Sequence, residues 1–183
     1  MRSTTLLTTL LLATIAGGCS GDSTPVGPKS GGNPSDSGTE GGFGTSEIKA
    51  LPFKAHYEAR SVGVGPGQGC NARLFLEGEG TGTYLGNFTI KLSFCGRGDG
   101  TLDNGTGTFV AADGDLLDIT FYGVSDRASP VLAFTSYVTF TGGTGRFDGA
   151  TGTGSVHGTF DARTNSGPAD WDGMITFPGK RDQ

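Results

Sequence analysis

The sequence predicts an all-β protein: a single antiparallel eight-stranded up-and-down β-barrel, preceded by a signal peptide and a disordered tether. Three observations predict it. Apolar and polar residues alternate with a period of two through most of the chain, the signature of strands with one buried face. Glycine-rich segments, drawn from 35 glycines in 183 residues, separate these runs at short intervals. No stretch of the domain carries the 3.6-residue period of a helix.

Taken in order, Phe53, Ala55, Tyr57 and Ala59 alternate with Lys54, His56, Glu58 and Arg60. A weaker run follows from Cys70 to Glu77. Phe88, Ile90, Leu92 and Phe94 then alternate with Asn87, Thr89, Lys91 and Ser93. A second weak run covers Gly105 to Ala112. Leu117, Ile119 and Phe121 alternate with Asp118, Thr120 and Tyr122. Leu132, Phe134, Val138 and Phe140 share one face, with Thr135, Tyr137 and Thr139 on the other. A third weak run spans Thr153 to Asp161, and Trp171, Gly173, Ile175 and Phe177 alternate with Asp172, Met174 and Thr176. The separators are Gly63 to Gly69, Gly78 to Gly82, Gly96 to Gly100, Asp113-Gly114-Asp115 and Gly142 to Gly145. Short connections favour antiparallel neighbours, and closing eight strands into a barrel removes both exposed edges. A two-sheet sandwich is the alternative.

Three segments divide the chain: residues 1–18 as signal peptide, 19–46 as tether and 47–183 as the β-barrel domain. Arg2 precedes an apolar run from Leu6 to Ile15, and Ala16-Gly17-Gly18-Cys19 follows. A charged start, a short apolar stretch and a small-residue cleavage site are the parts of a secretory signal. The apolar run is shorter than the ~20 residues a spanning helix needs. Small residues before Cys19 resemble a bacterial lipobox, with Ala16 where Leu is usual. That resemblance implies lipidation of Cys19 and attachment to the membrane through its acyl chains. The location implied is the bacterial cell envelope, and, as Ser20 rather than Asp follows the cysteine, the outer membrane in a Gram-negative cell. Cleavage near Gly17 or Gly18 as an ordinary secretory signal is the alternative.

From Ser20 to Ser46 the chain is Gly, Ser, Pro, Thr and Asp with almost no apolar side chains. It cannot bury enough surface to offset the entropy of ordering, and as a flexible coil it would reach about 30 Å. Without Arg2 the mature chain has 12 Lys and Arg against 18 Asp and Glu, a formal charge of −6. An acidic chain without a basic cluster argues against nucleic acid as a partner.

With Cys19 acylated, Cys70 and Cys95 remain as a pair in an oxidising compartment, where a disulfide is expected. Such a loop stabilises by about 3 kcal/mol on the chain-entropy estimate. Two separate buried thiols are the alternative. Pairing Cys70 opposite Cys95 in a hairpin sets Leu74 against Lys91 and turns Phe88 to the wrong face. The cysteines therefore lie outside the regular ladder, or a β-bulge intervenes; glycines at 78, 80, 82 and 86 favour the bulge.

Candidate chemistry is sparse. His56 and His157 fall on polar, outward faces, and no serine–histidine–aspartate grouping is fixed by spacing. Asp99, Asp103, Asp113 and Asp115 lie at glycine-rich turns without calcium-loop spacing, which points to turn formation. Gly63-Val64-Gly65-Pro66-Gly67 precedes no helix, so it is not a dinucleotide loop. The sequence assigns no catalytic residue, no metal site and no cofactor. Phe53, Tyr57, Phe88, Phe94, Phe121, Phe134, Phe140, Phe160 and Trp171 all fall on inward faces. They suit a packed core or an apolar pocket, with the packed core favoured.

Gly142 to Gly152 reads GGTGRFDGATG and resembles the glycine turn of plant dirigent proteins and of bacterial domains with the allene oxide cyclase barrel. Gly105-Thr106-Gly107-Thr108-Phe109, Ala112-Asp113-Gly114-Asp115 and Thr83-Tyr84-Leu85-Gly86 resemble further steps of those families, in the same order. Together they cover about Gly78 to Gly158. The resemblance implies a calycin-like barrel, and it brings to mind cyclases that shape a reactive intermediate inside an apolar interior. Arg146 and Asp148 are placed to pair across the turn.

Three functions are then open. The first is a non-enzymatic binding module for a small apolar ligand or an envelope protein. The second is a cyclase or isomerase working inside the barrel, and the third a structural envelope protein with a filled core. A polar group buried among the aromatics favours the second, a continuous void without one the first, and no void the third.

Overall fold

The computed structural model describes residues 49–178. The expected signal peptide, Cys19 and the expected tether lie outside the described residues. Eight strands run in chain order: β1 (Ala50–Gly65), β2 (Ala72–Gly82), β3 (Gly86–Gly96), β4 (Thr101–Val110), β5 (Leu116–Ser125), β6 (Val131–Gly143), β7 (Thr151–Asp161) and β8 (Ser166–Thr176). Each pairs antiparallel with the next, and β8 pairs with β1 from Ala50↔Thr176 to Arg60↔Ser166, closing the barrel. The expected up-and-down barrel is therefore the fold, and the sandwich is not.

Alternation sets which side chains enter the barrel. Along β1 the even-numbered Lys54, His56, Glu58 and Arg60 are exposed, while Phe53, Ala55, Tyr57 and Ala59 are buried. Register shifts at Ser61/Gly63, Ser93/Cys95, Leu102/Gly105 and Asp118/Ile119 interrupt four ladders. Such bulges sharpen the local twist and help the sheet curl closed.

Two expectations about connections are corrected. Gly78 to Gly82 is not a turn but the second half of β2. There the barrel wall is so tight that a Cβ on Gly78 would come within 2.6 Å of the Glu58 carbonyl oxygen. Glycine is required by the close approach of β1, not by a reversal of the chain. The β2–β3 ladder also has no bulge: it runs unbroken from Ala72↔Gly96 to Gly82↔Gly86. Cys70 lies two residues before β2, outside the ladder, and the residue facing Cys95 is Arg73. From there Cys70 reaches Cys95 and the two are bonded, with Cα atoms 5.7 Å apart.

One end of the barrel is filled. Phe53, Phe109 and Phe140 are fully buried there. Their rings meet edge-on, with Phe53 and Phe140 centroids 4.9 Å apart and Phe88 and Phe109 5.0 Å apart. Leu85 from the β2–β3 turn and Phe147 from the β6–β7 connection, both wholly buried, plug the opening. A single 3₁₀ turn, Gly145–Phe147, aims Phe147 inward. Arg146 pairs with Asp113 at 2.8 Å and Asp115 at 3.8 Å on the neighbouring β4–β5 turn. Its expected partner, Asp148, is replaced because the 3₁₀ turn sends the guanidinium toward that neighbour instead.

Candidate ligand-binding cavity

Toward the other end the inward side chains leave a space, although Phe94 and Phe121 still meet edge-on at 5.7 Å. Leu74 and Leu76 of β2, Leu92 and Phe94 of β3, Phe121 of β5 and Phe134 of β6 line a cavity of about 250 Å³. Tyr57, Trp171 and Val138 form its deep side, against the filled half. The mouth lies where β1, β3, β5 and β7 end, with Arg97, Ser125 and Phe160 among its lining residues. Partial exposure of Leu74, Leu92, Phe94, Phe121, Phe134 and Phe160 reflects that opening, whereas the residues of the plugged end are sealed. The expected aromatic interior is thus divided: Phe53, Phe88, Phe140 and Trp171 pack as core, and Phe94, Phe121, Phe134 and Phe160 wall a void. The favoured wholly packed interior is corrected accordingly.

Inward glycines and alanines help make the room. Ala59, Gly96, Gly167 and Ala169 are all lining positions; the alanines keep the wall thin, while a Cβ on Gly167 would run into the Thr159 carbonyl and one on Gly96 into Leu74. Bulky aromatics beside small residues fit a tapering barrel interior.

Polar groups are few in this lining. Tyr57 is 5 % exposed, on the inner face between the outward His56 and Glu58. Burial alone pushes its phenol far above the ordinary tyrosine value, so the hydroxyl stays neutral and able to donate. Ser136, also 5 % exposed, is the buried polar residue of β6 and lines the same space. The indole nitrogen of Trp171 is buried without a hydrogen-bond partner. At the rim, the Arg97 guanidinium is held by Asp103, with Nε 2.6 Å from the carboxylate. The mouth therefore carries no uncompensated positive charge from Arg97.

The disulfide braces this end from outside. Phe94 faces the cavity, so its neighbour Cys95 faces outward, yet Cys95 is only 1 % exposed. The Arg73 guanidinium reaches both Ser93 Oγ, at 2.7 Å, and Cys95 Sγ. The bridge ties the β1–β2 connection to the end of β3, two residues before Arg97.

Other sequence candidates fall elsewhere. His56 and His157 are on the outer face as expected, each facing Asp170 in the ladder. His56 Nδ1 lies 2.8 Å from Asp170, while His157 Nδ1 lies 3.1 Å from Thr135 Oγ1. The four turn aspartates serve their turns. Asp99 accepts from the Thr101 backbone N–H, which lowers its pKa. Asp103 pairs with Arg97, and Asp113 and Asp115 pair with Arg146. Among the described residues, no three His, Cys, Asp or Glu side chains gather as metal ligands.

Sequence reasoning placed Tyr57 inward without giving it a role and passed over Ser136. The signal was present in both. A hydroxyl at an inward position of an otherwise apolar strand needs a partner, and a ligand is one way to supply it. Comparison with protein-family models, with curated proteins and with solved structures finds no match for the chain.

Proposed function

We propose that this chain is an envelope-anchored lipoprotein, lipidated on Cys19, whose barrel holds a small apolar ligand without transforming it. The cavity carries the reading. A sealed void of about 250 Å³ would forgo about 6 kcal/mol of packing at ~24 cal/mol per Å³, and this one, open at its mouth, forgoes less. Domains are stable by only about 5–15 kcal/mol in total. A barrel with a purely structural role would gain by filling that space, and larger side chains at Ala59 or Ala169 are simple routes to it. The filled-core reading loses its basis.

The hydroxyls of Tyr57 and Ser136 in the lining meet the condition expected to favour a second reading, a cyclase or isomerase of the type that the dirigent-like and allene oxide cyclase-like turns suggest. Binding is preferred because no charged acid or base joins them on the deep side of the lining. The exposed Tyr122 and Tyr137, side by side on the outer face with centroids 5.5 Å apart, would suit a protein partner but enclose no space.

The chain has a single tryptophan, and Trp171 lines the cavity, so it reports on occupancy. Titrating the full-length protein with tetralin, an apolar molecule of suitable size, should change Trp171 emission in a saturable way. Emission that never saturates, or never changes, refutes the binding reading. The anchor has its own test: palmitate labelling is expected in the wild type and lost in Cys19→Ala, and normal labelling of the variant refutes lipidation at Cys19.

A further inference from the structure

We infer that the ligand is a compact neutral molecule with one hydrogen-bond-accepting oxygen, a ketone, lactone or ester, seated against the Tyr57 hydroxyl at the deep side of the cavity. The inference rests on the binding reading above and names the chemical class that the site would take.

Size sets the first limit. A cavity of about 150 Å³ accommodates benzene, so about 250 Å³ suits a molecule of about ten non-hydrogen atoms. The lining sets the second. Leu74, Leu76, Leu92, Phe94, Phe121 and Phe134 offer contact and no hydrogen bonds, so most of the ligand is apolar.

Tyr57 sets the third. Its side chain is buried at 5 % exposure in the cavity wall. Burial raises its pKa, so the hydroxyl is a neutral donor on the cavity lining. Trp171 Nε1, on the same lining, is the buried donor without a partner, and the Tyr57 hydroxyl adds a second donor that phenylalanine would lack. Its neighbours Phe53, Ala55 and Ala59 on the inner face of β1 are apolar. A neutral acceptor on the ligand would satisfy the hydroxyl.

Charge sets the fourth limit. A carboxylate at the deep side would be stripped of water with no cation to receive it. Arg97, the cation of the lining, is at the mouth and already held by Asp103. Asp103, 2.6 Å from Arg97 Nε, already offsets that charge, so a ligand acid at the mouth would meet a compensated cation and a neighbouring carboxylate. A neutral oxygen meets neither obstacle.

The test compares α-tetralone with tetralin, which share a ten-carbon frame and differ by one carbonyl oxygen, by calorimetric titration of the full-length protein. Tyr57→Phe keeps the ring and removes only the hydroxyl. The variant should lose about tenfold in affinity for tetralone and keep its affinity for tetralin. Because it leaves the packing of the ring intact, its ligand-free melting temperature should stay close to the wild type's, which separates lost binding from lost folding. Equal effects of the substitution on both probes, or none on either, overturn the inference while leaving an apolar binding cavity in place. Preferential binding of tetralin-1-carboxylate over tetralone by the wild type overturns it too. Failure of both neutral probes to bind the wild type overturns the binding reading beneath it.

Discussion

Ala59→Leu separates a hollow barrel from a filled one by the sign of its effect on stability. Ala59 lies on β1, is 5 % exposed and lines the cavity. Leucine adds three carbons, and each buried methylene is worth about 0.8 kcal/mol. Against this stands about 0.5–1 kcal/mol for the rotamers that leucine gives up. The net expectation is a gain of about 1–2 kcal/mol. In equilibrium urea unfolding followed by Trp171 emission, that gain should raise the midpoint by about 1 M, since m-values for domains of this size are about 1–3 kcal/mol/M. The same substitution should weaken tetralin binding, because both compete for one space. A barrel already packed at this level would respond in the opposite direction. Overpacking costs about 1–3 kcal/mol, and a midpoint lowered by a comparable amount would refute the assignment of a void beside Ala59.

The plugged end should behave as a solid core: Phe147→Ala, at a wholly buried position, is expected to cost about 3–5 kcal/mol in urea unfolding. Arg146→Gln breaks the pairs with Asp113 and Asp115 but, between partly exposed groups, should cost no more than about 1 kcal/mol; a larger loss would mean the pairs position the plug. Replacing Cys70 and Cys95 together by serine, opening a bridge across a separation of 25 residues, should lower stability by about 3 kcal/mol, measured the same way without reductant. Arg163 bonds to Asp161 by side chain and backbone and lowers its pKa from 3.8 to about 2. A depressed carboxylate pKa contributes stability above the unfolded value and loses it as pH falls from about 4 through about 2. NMR titration of Arg163→Ala should return the Asp161 midpoint toward the ordinary aspartate range, and an unmoved midpoint would contradict the pairing.

The fold was legible because its signal is local. Lys54, His56 and Glu58 alternate with Phe53, Ala55 and Tyr57, and that period alone assigns each residue a face. Where the inward residue is glycine the signal fails: Gly78, Gly80 and Gly82 read as a turn, although they are inward strand positions crowded by β1. The place of Cys70 was misjudged for a related reason. A bulge and an unpaired flank produce the same mismatch of residue numbers, and only the register of β2 with β3 distinguishes them.

The cavity was not legible at all. Phe53 and Phe140 carry the same alternation signal as Phe94 and Phe121. Both pairs meet edge-on, at 4.9 Å in the sealed half and at 5.7 Å beside the void. Whether space remains beside such rings depends on barrel taper and on small residues from distant strands, such as Ala59, Gly96 and Ala169. No local pattern encodes that relation. Arg97 was likewise hidden, because its role at the mouth arises from Asp103 across the β3–β4 turn.

The most direct test of a ligand-holding barrel is native mass spectrometry of the full-length protein purified from its own cells. The account predicts a bound species of low mass, neutral and oxygen-containing, that leaves on mild activation and is depleted in Ala59→Leu. A bare protein mass in the wild type, under conditions that retain tetralin added as a control, would contradict it.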